Sequence, residues 1–224
     1  MSEQLHRILN NGDTQLPLQL TDTFKRVLGL EHEDTLHCMN ATTLKLANQN
    51  RHDEAIELGT LLVEQRKKVL GPDHVDTLES MHDLGAHCMA LERWDEAEQL
   101  LRSSLEGLKQ ARGLASAFTI QCARNLAFVM QRRGHFDEGV ELLRKTVQDC
   151  RSLRGDEHVA TVASSKFLAL MLADGGREEE AVELLRELLE MCTRVYGQDD
   201  TWTRGIAENL STCQKKGLPP PTAT

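Results

Sequence analysis

The chain has 224 residues, of which 40% are hydrophobic, 27% charged and only 4% aromatic, and its formal net charge is −9. That is enough for one extended folded domain or two small ones, and the apolar content carried by Leu and Ala favours helices over strands. The acidic balance argues against nucleic-acid binding, which needs clustered Lys and Arg, and no apolar run approaches the roughly 18 residues that cross a bilayer.

Written in rows of 42 residues, the sequence aligns with itself. Glycine fills one column (Gly29, Gly71, Gly113, Gly155, Gly197) and threonine another, six residues on (Thr35, Thr77, Thr119, Thr161, Thr203). His32, His74 and His158 share a third column. Asp53-Glu54-Ala55, Asp95-Glu96-Ala97, Asp137-Glu138-Gly139 and Glu179-Glu180-Ala181 share a fourth. A period of this length marks a solenoid or an array.

In chain order, residues 18–28 align with the end of a second helix, beginning at Pro17, so 1–28 reads as an N-terminal capping segment or truncated repeat. The array then covers 29–215. Its rows are 29–70, 71–112, 113–154 and 155–196, followed by a cap helix within 197–215. First helices are expected near 33–49, 75–91, 117–133, 159–174 and 200–215. Second helices are expected near 53–70, 95–112, 137–154 and 178–196.

The second helices carry apolar residues at i, i+3, i+4 and i+7, the spacing of one buried stripe. Acidic residues open them and Lys67, Lys68, Arg112, Arg154 and Arg194 close them, in line with the helix dipole. The column glycine follows, where a left-handed residue can end a helix. Arg51, Arg93, His135 and Arg177 mark the turn inside each pair, beside Asn50, Gly134 or Gly176. Residues 216–224, with Pro219, Pro220 and Pro221, cannot continue a helix and are expected to form a disordered tail.

A 42-residue helix pair with Gly-x-x-His-x-x-Thr between rows and Asp-Glu-Ala opening the second helix resembles the tetratricopeptide repeats of kinesin light chains. The resemblance covers residues 29–215. It implies an all-α fold, a right-handed α–α superhelix of about four helix pairs with flanking cap helices. It also implies a protein-binding role. Kinesin light chains carry a long heptad segment before their repeats, and the first 28 residues are too short for one, so the chain is not expected to be a motor subunit itself.

In such an array the first helices line a concave surface suited to an extended peptide or a partner's helix. The register implied by the resemblance puts Asn40, His82, Arg124, Lys166 and Glu208 in one inner column and Ala41, Asp83, Asn125, Phe167 and Asn209 in the next. Asn125 and Asn209 match the family's groove asparagine, whereas Ala41, Asp83 and Phe167 depart from it. One turn further on, row three adds Gln131 and Arg132, and Arg124, Arg132 and Lys166 would place positive charge in the middle of the groove, where forked donors suit a carboxylate. The bland reading is a solvated helix face.

No catalytic constellation, metal-ligand pattern or cofactor motif stands out. The loop histidines read as helix caps, and the six scattered cysteines, none in a Cys-x-x-Cys pair, as buried thiols of a reducing compartment. Met1 to Arg7 lacks the apolar stretch of a secretory signal, so the expected location is the cytoplasm, or the nucleus. Trp94 and Phe136 read as packing residues at the intra-pair turn, and Trp202 as an indole that could serve a partner. The function these features imply is a non-catalytic adaptor that holds a peptide segment or helix. The alternative is a structural subunit docked permanently in a larger assembly.

Overall fold

The computed structural model describes residues 15–216; residues 1–14 of the capping segment and residues 217–224 of the expected disordered tail lie outside them. Among the described residues every regular element is an α-helix. They are α1 (Gln15–Val27), α2 (Glu33–Asn48), α3 (His52–Val69), α4 (Val75–Ala90), α5 (Trp94–Ala111), α6 (Ala117–Arg132), α7 (Phe136–Arg154), α8 (Val159–Asp174), α9 (Glu178–Tyr196) and α10 (Thr201–Lys216). The bounds of α2 to α10 fall within about one residue of those read from the 42-residue rows.

The repeated columns explain that agreement, because each does local work. The column glycines all sit at positive φ, for example +97° at Gly71 and +88° at Gly155, where a side chain would be strained. The column threonine then closes the loop. The Thr77 hydroxyl donates to the Gly71 carbonyl at 2.9 Å, Thr119 to Gly113 at 2.9 Å and Thr161 to Gly155 at 2.7 Å. Between them stands the N-cap. The Nδ1 atoms of His32, His74 and His158 accept from the backbone N–H two residues on. Ser116 and Asp200 hold the same column in the remaining rows and accept from Thr119 N–H and Trp202 N–H. The column is thus one of capping acceptors rather than of histidine.

The turn inside each pair repeats too. The N–H groups of Arg51, Arg93, His135 and Arg177 reach back to the carbonyls of Leu46, Cys88, Met130 and Leu172 at 2.8–2.9 Å. These are Schellman closures, and each needs a left-handed residue just before. That residue is Asn50, Glu92, Gly134 or Gly176. Arg51 and Arg93 then fork onto Glu54 and Glu96, three residues on, and Arg177 and His135 reach Glu180 and Glu138 at the same spacing through a single nitrogen each.

The chain divides into two compact units, Met1–Arg112 and Gly113–Thr224. In unit 1, α1 to α5 pack each against the next. The α1 helix docks through a buried polar contact: the Thr21 hydroxyl lies 2.9 Å from Thr42 Oγ1 and 3.2 Å from Cys38 Sγ. It starts two residues before Pro17, which stands in the first turn where the missing N–H costs nothing. Met39, Leu46, Ala55 and Leu62 form the core behind it.

Row one exchanges volumes with row two. In row two Gly85 of α4 faces Leu101 of α5, whose Cγ lies 2.9 Å from where a Cβ would stand. In row one the same two columns hold Thr43 and Gly59, with Thr43 against the glycine. The small partner changes helix and the gap stays filled.

In unit 2, α6 to α10 pack in sequence, and α8 also touches α6 and α10. The first helices therefore lie side by side over a core of Leu143, Val162, Leu172, Leu185 and Ile206. All six cysteines are buried as thiols, and burial raises the pKa of Cys38, Cys88, Cys150 and Cys192.

Candidate partner-binding surface

Unit 2 presents cations and aromatic rings alternately across three first helices. The Arg124 guanidinium of α6 lies over the Phe167 ring of α8, 4.8 Å from its centroid. The Lys166 ammonium, one residue before that ring on α8, lies 5.7 Å from the centroid of Trp202 on α10. Each such pair is worth about 0.5–1 kcal/mol at an exposed site. Stacking on the face of a ring leaves the N–H edge of a guanidinium open, which is the edge that forks onto a carboxylate.

Arg124 also donates to Asn125 Oδ1 at 3.3 Å, and Gln121 approaches the same oxygen at 3.5 Å. Asn125 is buried, while Phe167 is half-buried against Ala115, Ile120, Cys150 and Ala160. Burial lowers the pKa of Arg124, and no nearby carboxylate counters that. Among the described residues neither Arg124 nor Lys166 has an ion-pair partner. Arg132 is exposed at the far end of α6, and Asn209 is half-buried on α10.

Unit 1 differs at the corresponding positions. Asn40 is half-buried on α2. His82 is only 6% exposed and its Nδ1 lies 3.1 Å from Asp83 Oδ1. No phenylalanine, tyrosine or tryptophan stands in these columns of unit 1. Sequence spacing puts His82 and His87 about 140° apart around a helix, on different faces. Both are nevertheless buried, because α3 and α5 cover α4 from two sides.

Reasoning from the sequence joined Arg124, Arg132 and Lys166 in one positive patch and took Trp202 and Phe167 apart from it, the latter as a departure from the family pattern. It did not set either ring beneath a cation. The signal was present, since first helices of successive rows are neighbours and Phe167 lies one residue past the row-shifted position of Arg124. Among the described residues, no group of three or more His, Cys, Asp or Glu side chains is placed to hold a metal ion.

The repeat frame and the helix pairs define a class that comparison with known proteins bears out. The tetratricopeptide repeat model matches residues 44–110 and 118–194, more than half of the chain. The chain belongs to the tetratricopeptide-repeat family. Among solved structures it is similar to the nearly identical TPR-like repeats of a Podosopora anserina protein assigned to the kinesin light chains. The identity is 26% over 86% of this chain and 93% of that one, with a TM-score of 0.77. A single-residue variant of that protein matches at 25% identity over 87% and 93%, with a TM-score of 0.78. BtubC (BKLC) from P. vanneervenii shares the fold at 11% identity over 100% of this chain and 96% of that one, TM-score 0.62. Among curated proteins no match is found.

Proposed function

We propose that this protein is a non-catalytic scaffold that takes a peptide segment or partner helix on the face lined by its first helices, and that Arg124 and Lys166 receive a carboxylate there. The carboxylate is an acidic side chain or a chain terminus. Tetratricopeptide folds serve as protein-interaction scaffolds, and the rigid helices lose little freedom when a peptide settles on them. The carrying observation is the pair of ring-stacked, half-buried cations with no carboxylate of their own in an otherwise acidic chain. Within unit 2, Arg132 and Asn209 would extend the surface beside the buried Asn125; in unit 1, Asn40 would offer a contact of its own, where His82 is buried.

The test is a peptide array carrying acidic and C-terminal carboxylate sequences, probed with the wild type and with the double variant Arg124→Glu, Lys166→Glu. Two reversed charges at a partly desolvated site should weaken capture at least about 100-fold, at roughly 1.4 kcal/mol per factor of ten. Equal binding by the two proteins removes the reading.

A second reading, a permanently docked structural subunit, draws on exposed aliphatic residues at the ends of the second helices and of the aligned α1. In unit 1 these are Val27 at 66% exposure, Leu28, Val69 and Leu70, and in unit 2 Leu153 and Val195. Stoichiometric co-purification of a fixed set of proteins, unaffected by the Arg124 and Lys166 variants, would favour it.

A further inference from the structure

Seven of the nine histidines belong to unit 1, and two of them meet in the seam between α3 and α4. The rings of His52, at the start of α3, and His87, near the end of α4, stand 6.1 Å apart between centroids at a mutual tilt of 40°. His87 is 6% exposed. Its Nε2 and the Nδ1 of His52 are both buried without a hydrogen-bond partner. Neither nitrogen therefore has an acceptor ready to take the hydrogen that protonation would add.

We propose that this pair makes unit 1 acid-labile: proton uptake by His87, beside the His52 ring, puts a charge without a hydrogen-bond partner into the seam and separates α3 from α4, while unit 2 keeps its packing.

The surrounding charges favour that outcome. On α4, Asp83 lies one turn before His87 and opposes the effect, whereas His82 adds to it. From α3, His52 is the near titratable group. Further along the seam Arg66 brings a buried guanidinium onto α4, donating to the Asp76 carbonyl at 2.9 Å and the Ser80 hydroxyl at 2.6 Å. From α5 come Arg93 and Glu96, already paired with one another. At His87, one carboxylate thus stands against two further imidazoles.

Burial, reinforced by His52 and His82, holds the His87 imidazole below its ordinary value. A base depressed in the folded state contributes stability above its unfolded pKa of about 6.5. That stability is lost as pH falls from there through the folded-state value.

Amide hydrogen exchange between pH 7.5 and 5.5, corrected for intrinsic rates, tests the inference. Segments His52–Val69 and Val75–Ala90 should lose about ten times more protection than Phe136–Arg154 and Val159–Asp174. His87→Leu, which leaves every helix cap intact, should remove the difference. His52→Gln, at the first residue of α3, should halve it in logarithmic terms. Equal loss in both units, or an undiminished difference in His87→Leu, overturns the proposal. Should His87→Leu not fold, NMR titration of the wild type decides: a His87 value below 6.5 supports the switch and one at or above it ends it.

Discussion

The two units share one backbone frame and fill it differently. In the column of Arg66, Leu108, Cys150 and Cys192, unit 1 places a buried guanidinium that reaches two oxygens of α4, whereas unit 2 places two small thiols. At the intra-pair turn, unit 1 forces Asn50 and Glu92 into the left-handed region and unit 2 uses Gly134 and Gly176. The inner positions of unit 1 hold a buried histidine beside an aspartate, and those of unit 2 hold cations on rings. The frame is thus set by loop and cap chemistry common to all rows. The interior and the binding chemistry are free to vary within it.

The largest expected effect comes from core truncation. Leu101 in unit 1 and Leu185 in unit 2 occupy one column, and both are fully buried. Each change to Ala should cost about 2–5 kcal/mol. The chain's two tryptophans, Trp94 and Trp202, lie one in each unit, so fluorescence during urea unfolding reports which unit is weakened. A truncation that shifts both signals equally would show that the two fold together.

Next comes the loop threonine. Thr77→Val and Thr161→Val each delete a bond to the column glycine carbonyl and should cost about 1 kcal/mol. Thr35 has no partner for its buried hydroxyl, so Thr35→Val should cost about nothing, or stabilise. Equal losses at all three positions would mean that the methyl group, not the hydroxyl, holds the column. Thermal unfolding distinguishes the cases.

A small gain should come from giving unit 1 the turn of unit 2. Glu92 sits at φ +57°. Glu92→Gly relieves about 1 kcal/mol of left-handed strain and loosens the unfolded chain by somewhat less, so a gain of about 0.5 kcal/mol is expected in a melting experiment. The reverse change, Gly176→Glu, should lose a similar amount.

Much was legible without coordinates because the repeats set glycine, a capping acceptor and threonine at the same spacing five times. Glycine after a helix, a capping acceptor three residues later and threonine three beyond that are short-range requirements, satisfied within seven residues. Such requirements survive in the sequence as columns, and nine helix bounds followed from them within about one residue. Ser116 and Asp200 were readable by the same logic, as acceptors in a column that histidine dominates.

What only the tertiary structure decided lies between rows. Arg124 and Phe167 are 43 residues apart, and Lys166 and Trp202 are 36 apart. The periodicity puts each on an inner face but leaves open which ring lies under which cation. The orphaned nitrogens of His52 and His87 depend likewise on how closely α3 and α4 approach. Helix, cap and turn are set by neighbours along the chain. Burial, stacking and the loss of a hydrogen-bond partner are set by neighbours across it, and no single row contains them.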